Sequence, residues 1–125
     1  MLGYVTIGAL DVEAALPFYD AVFGAIGSER AFFEGGWAGY GPKGGDANTF
    51  ICPPFDGEAA RAGNGIMVAF LAADRAAVDT AHAAALAQGG ADEGAPGPRP
   101  ADATNFYGAY MRDPTGNKIC VFSRG

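Results

Sequence analysis

The chain opens with a short alternating run, Val5-Thr6-Ile7-Gly8, and passes Asp11 into a segment where Val12, Leu16, Tyr19 and Phe23 recur at spacings of four, three and four. Alternation predicts a strand, and the row of apolar residues predicts one face of a helix. Shifted by 63 positions, the same order returns: Met67-Val68-Ala69-Phe70-Leu71 reads as a strand, and Asp74 precedes an Ala-rich segment in which Val78, His82 and Leu86 form a row. Asp11 and Asp74 each stand where a helix N-cap belongs, because a short carboxylate accepts from backbone N–H groups that the first turn leaves unpaired. Gly24 and Gly89-Gly90 supply the stops. Pro17 conflicts with the first helix locally, since a proline deletes one backbone hydrogen bond at a cost of roughly 3 kcal/mol. A kink or a tightened first turn is expected there.

Strand-like segments follow the first helix at about 27–34, 36–41 and 47–52, and the second near 91–95, at 105–112 and at 117–123. Asp113-Pro114-Thr115-Gly116 has the residues of a type I turn and joins the last two as a hairpin. The stretch from Ala95 through Pro96, Pro98 and Pro100 to Thr104 is too rich in proline for a central strand and reads as a long loop, a binding lid or a disordered tip. Pro53-Pro54-Phe55-Asp56-Gly57 and the Ala-rich residues to Gly63 link the halves. The fold class is therefore α+β: one domain over 1–125, built from two βαβββ modules at about 1–57 and 63–125.

Composition narrows the partners. Eight Lys and Arg against fourteen Asp and Glu leave a net charge of −6, which repels phosphate backbones, so neither nucleic acid nor an anionic membrane is expected as a partner. No apolar run approaches the length of a membrane helix, and the N-terminus has no secretory pattern. Cys52 and Cys120 lie 68 residues apart without a C-x-x-C pair, which suits a reduced, cytoplasmic setting.

The doubled βαβββ unit, the run Gly94-Ala95-Pro96-Gly97, the segment Pro17-Phe18-Tyr19 and the hairpin Tyr110-Met111-Arg112-Asp113-Pro114-Thr115-Gly116-Asn117-Lys118-Ile119 together resemble the glyoxalase/bleomycin resistance/dioxygenase superfamily, the vicinal oxygen chelate fold. The likeness implies that the two sheets curl into a partly open, glyoxalase-like barrel around a cavity, commonly completed by a second copy, so a homodimer is expected.

Metal-dependent relatives bind a divalent ion with His, Gln or Glu from the first and last strands of each module. Carried over residue by residue, those positions fall on Tyr4, Phe50, Met67 and Cys120. A phenol, a phenyl ring, a thioether and a thiol are poor partners for Zn²⁺, Ni²⁺ or Fe²⁺. Met67 and Cys120 are soft enough for Cu(I), but a pair of soft atoms lacks a third ligand. No metal and no cofactor are therefore expected, and metal-dependent lyase or dioxygenase chemistry is disfavoured.

Alternation places Lys118, Cys120 and Phe122 on one face, beside Gly108, Tyr110 and Arg112 of the partner strand. In the ring-cleaving branch a Tyr four residues before the turn proline lines the active site, and Tyr110 holds that place. Tyr4, Phe50, Met67, Tyr110 and Cys120 are thus the candidate lining of an apolar, aromatic pocket for a small flat molecule. Alternatively, these side chains meet and close the cavity as core. Three functions stay open: a metal-free binding protein, for which the acidic charge suits a cation such as bleomycin; an enzyme resembling lactoylglutathione lyase or a dioxygenase, or one using Tyr4 or Tyr110 as acid or base; and a scaffold with a vestigial cavity. His82 is expected to be half-exposed and without a partner. Cys120 is expected to be buried and inert, Trp37 packed on a central strand, and Arg112 turn-stabilising. Arg99, in the long loop, is a candidate to reach an anionic ligand.

Overall fold

A computed structural model describes residues 1–125. The elements are β1 (Val5–Gly8), α1 (Val12–Gly24), β2 (Ser28–Glu34), β3 (Trp37–Pro42), β4 (Thr49–Cys52), β5 (Val68–Leu71), α2 (Arg75–Ala87), β6 (Ala91–Pro98), β7 (Tyr107–Arg112) and β8 (Lys118–Ser123). They form two four-stranded sheets, ordered β1-β4-β3-β2 and β5-β8-β7-β6, each with one parallel pair at its first strand and antiparallel pairs beyond. Each module is therefore βαβββ, and neither sheet closes into a barrel.

The repeat holds residue by residue where the chain is most regular. A shift of 63 superposes Val5–Gly8 on Val68–Leu71 and Val12–Gly24 on Arg75–Ala87. Asp11 accepts from the Ala14 amide at 3.1 Å and Asp74 from the Ala77 amide at 2.9 Å, so both carboxylates cap as their spacing predicts. The repeat then breaks: Trp37 and Tyr107 open the third strands 70 positions apart, because module two carries a longer connection before β7.

Both helices and one face of each sheet share a single core. Phe18, Tyr19, Val22 and Phe23 of α1 pack with Ile7, Tyr40 and Ile51 of sheet one and with Met111, Ile119 and Val121 of sheet two. The row Val12, Leu16, Tyr19 and Phe23 is buried throughout, and α1 runs unbroken through Pro17, whose place on the exposed side leaves the unpaired carbonyl to solvent. The buried row of α2 differs from expectation. Leu86 is exposed, and Ala81 and Ala85 are buried beside Val78 and His82. Small residues on that face let α2 lie close against α1.

Two further expectations are corrected. Residues 95–98 are not loop: β6 continues to Pro98 as the edge strand of its sheet, with register shifts near Gly94 and Gly97. Proline is tolerated at an edge, where no further strand needs its N–H. His82 is neither half-exposed nor alone. It is 8% exposed, and its Nε2 lies 3.0 Å from Asp92 Oδ1 on β6. No helix is long and apolar enough to cross a membrane.

The Asp-Pro-Thr-Gly turn locks the modules together. Asp113 Oδ1 accepts the amides of Thr115, Gly116 and Asn117 at 2.8–3.0 Å, while Oδ2 accepts the Tyr19 hydroxyl at 2.5 Å. Asn117 Nδ2 donates to the Gly8 carbonyl at 2.8 Å, and the Leu10 amide donates to Thr115 Oγ1 at 3.0 Å. Burial, and then the Asp113 carboxylate, hold the Tyr19 phenol well above its ordinary pKa, so it remains a donor. Gly116 takes φ +107°, a backbone conformation that side-chain-bearing residues rarely adopt.

Candidate functional site

Alternate residues of every strand turn away from the helices, and this second face of each sheet has no layer over it. On sheet one it carries Tyr4, Thr6, Phe32, Trp37 and Phe50. Phe50 is the hub: its ring centroid lies 5.5 Å from Tyr4, 6.1 Å from Phe32 and 6.2 Å from Trp37. Gly39 makes this possible, since a Cβ there would stand 2.3 Å from the Phe32 ring. Trp37 does open a central strand, but it is 40% exposed, and Tyr4 is 64% exposed.

On sheet two the uncovered face carries Met67 and Leu71 at the β5 edge, then Lys118, Cys120 and Phe122, then Gly108, Tyr110 and Arg112. Tyr110 lies directly opposite Cys120, and Gly108 opposite Phe122. Phe106 stacks on Phe122 at 5.5 Å, with the rings 15° apart, over the bare backbone of Gly108. Cys120 is 2% exposed, and burial pushes its thiol up to about 11 against weaker opposite pulls from Tyr110, Arg99 and Lys118. Burial likewise raises the Tyr110 phenol, followed in effect by Cys120. Both groups stay protonated at neutral pH, so neither is poised as a base or nucleophile.

Of the sequence-derived pocket residues, the structure brings Tyr4 and Phe50 into contact and sets Tyr110 beside Cys120. Met67 stands between the two sheets. It lines a cavity of about 180 Å³ with Val5, Thr6, Ile66, Lys118 and Ile119, while Tyr4 lines a separate cleft of about 220 Å³ with Val68 and Leu71. Neither void includes Phe50, Tyr110 or Cys120. Each is smaller than the roughly 300 Å³ at which ordinary small-molecule sites begin. A pocket over all five residues is not enclosed by one chain.

The donor set does not suit a metal. The positions where metal-binding relatives carry ligands hold Tyr4, Phe50, Met67 and Cys120, and nowhere do three His, Cys, Asp or Glu side chains group so that they could hold an ion. Sequence reasoning missed the aromatic cluster of Phe32 with Phe50, and also Phe106. The alternation of β2 was a usable signal for Phe32; Phe106 precedes β7 in a connection without periodicity.

Residues 1–121 match the Glyoxalase/Bleomycin resistance protein/Dioxygenase superfamily. A glyoxalase/bleomycin resistance protein from Albidiferax ferrireducens T118 is 35% identical, with a TM-score of 0.87 over 98% of both chains. A lactoylglutathione lyase from Agrobacterium tumefaciens is 26% identical, with a TM-score of 0.63 over 96% of this chain and 90% of that one. A glyoxalase/bleomycin resistance protein/dioxygenase family enzyme from Burkholderia phytofirmans PsJN shares the fold at 22% identity and a TM-score of 0.73, over 99% of this chain and 98% of that one. Among curated proteins, none matches the chain. With a family match across nearly its whole length and two βαβββ modules in place, this chain belongs to the glyoxalase/bleomycin resistance/dioxygenase superfamily.

Proposed function

We propose that the protein binds a small, flat aromatic or apolar molecule against the uncovered sheet faces, and that a second copy of the chain closes those faces into a pocket. One observation carries this reading: rings and apolar side chains that should be buried in a finished core are gathered on faces over which no helix or sheet is layered. Tyr4, Met67 and Leu71 are 64%, 41% and 56% exposed, and Phe50, Tyr110 and Phe122 are half-buried beside them. Contiguous exposed apolar surface marks a binding site far more often than an idle surface. The small volumes of the two voids beside Met67 and Tyr4 support closure of these faces by a partner.

Binding is favoured over catalysis by the chemistry of the face. The positions where relatives hold a metal carry no His, Asp or Glu, and the Tyr110 and Cys120 protons are held more tightly than usual. That the Agrobacterium relative is a lactoylglutathione lyase therefore does not by itself transfer a reaction to this chain.

Light scattering of the purified protein should give about twice the 12.7 kDa chain mass. A thermal-shift screen with neutral fused-ring aromatics such as 2-naphthol should raise Tm, with the rise growing with ligand concentration. A monomer at high micromolar concentration would refute closure by a second copy. A dimer that responds to no aromatic probe would favour the scaffold reading instead.

A further inference from the structure

We infer that the molecule held on the uncovered face is an organic anion, a planar aromatic carboxylate recognised by Arg99 and Lys118 on either side of Tyr110 in sequence. The inference rests on the proposed binding role and names its ligand class. Its basis is a charge distribution that runs against the whole protein. The chain has only eight Lys and Arg against fourteen Asp and Glu. Yet four of those eight gather along one sheet face: Arg99 and Lys118 stand 5.6 and 5.7 Å from the centre of the Tyr110 ring, Arg124 stands 5.3 Å from that of Phe122, and Arg112 ends β7. Only Arg112 is neutralised, by Glu93 at 2.6 Å. Arg99 and Arg124 pair with no carboxylate, and Lys118 makes no ion pair, although Glu93 feels its charge.

The backbone also prepares a place for Arg99. Its Nη2 donates to the Ala95 carbonyl at 2.8 Å and its Nη1 to the Pro98 carbonyl at 3.2 Å, so the guanidinium is folded back over β6. It fits there because Gly94 and Gly97 lack side chains: a Cβ would come within 3.4 Å of Nη2 at the first and 3.0 Å of Nη1 at the second. Two donated bonds leave the rest of a five-donor fork, already fixed in orientation, for a ligand. A guanidinium fixed in this way loses little freedom on binding, which favours a planar carboxylate over a diffuse counterion. The ring of such a ligand has matching partners in Tyr110 and the stacked Phe106–Phe122 pair. Net charge alone suits a cationic ligand. At contact range the local charges govern, because exposed charges beyond about 10 Å are largely screened at moderate salt.

The test compares 2-naphthoate with 2-naphthamide, its neutral analogue of nearly equal shape, by calorimetric titration of the full chain at low and at moderate salt. The expected result is about tenfold tighter binding of the carboxylate at low salt, shrinking as salt rises. Arg99→Gln and Lys118→Gln should each weaken naphthoate by about fivefold or more and leave naphthamide unchanged. Unaltered circular dichroism and Tm would show that both variants are folded. Equal affinity for the two probes would overturn the anion assignment and leave the binding role standing. Inorganic phosphate bound as tightly as naphthoate would overturn the aromatic part, leaving a bare anion site. Binding of neither probe would remove both the assignment and the role beneath it.

Discussion

The two modules repeat one scaffold and present two different surfaces. Their first strands and helices superpose under a shift of 63, both helices are capped by an aspartate, and each helix holds a tyrosine of its module's third strand through a carboxylate: Asp20 accepts from Tyr40 at 2.7 Å, and Asp79 from Tyr107 at 2.6 Å. The uncovered faces have diverged. Module one offers an aromatic plate of Tyr4, Phe32, Trp37 and Phe50; module two interleaves Tyr110, Phe106 and Phe122 with Arg99, Lys118, Arg112 and Arg124. Part of the divergence lies where the repeat fails, since Arg99 and Phe106 belong to the longer connection before β7, and the rest lies on β7 and β8 themselves. The strand-helix order and the aspartate caps stayed alike, while the side chains packed on the helices and those on the uncovered faces both changed.

The contact joining the unlike halves should give the largest effect when broken. Asp113→Ala removes the acceptor of three amides and leaves the buried Tyr19 hydroxyl without its partner, so stability should fall by about 3 kcal/mol or more. A Tm lower by about 10 °C or more in a thermal melt would match, and a shift of a degree or two would show that the turn is not the clamp between modules.

The two caps test the likeness itself. Asp11→Ala and Asp74→Ala should each cost about 1 kcal/mol, because each removes one side-chain acceptor from an equivalent first turn. Denaturant melts giving clearly unequal losses would show that the modules differ in their helices as well as in their faces.

A smaller effect concerns acid. The Gly94 amide, then His82, hold the Asp92 carboxyl below its ordinary range, and Arg112 does the same for Glu93. A depressed folded-state value means that their stabilisation is fully present above the unfolded-chain values of about 3.9 and 4.3 and is lost as pH falls through the lower folded values. Thermal melts of the double variant Asp92→Asn, Glu93→Gln should show a shallower decline below about pH 4 than wild type. Parallel declines would remove these β6 contacts from the acid response.

Much of this was legible in the residues, for physical reasons that also explain the gaps. Asp11, Asp74 and the Asp113 turn were readable because caps and turns depend on local chemistry, which the sequence displays directly. The alternation that placed Cys120 with Lys118 and Phe122, opposite Tyr110, is likewise local. The proline count of 95–98 was read as loop because it gave no sign that this strand lies at an edge, which is a property of the sheet's order. Spacing of four from Val78 and His82 predicts Leu86 on the buried row, whereas the buried face of α2 turns through Ala81 and Ala85 instead. His82 found Asp92 across the fold, a pairing that sequence spacing does not encode. The family resemblance brought Tyr4, Phe50, Met67, Tyr110 and Cys120 together as one lining; one chain supplies them as two open plates.

Whether those plates are the binding surface is tested most directly by mapping amide chemical shifts as the assigned protein is titrated with 2-naphthol. Shifts should concentrate on the uncovered faces, at Thr6, Phe50, Tyr110 and Cys120, while the helix layer around Val22 and Ala81 stays still. Shifts centred on the helices, or none at saturating probe, would contradict the binding role of these faces.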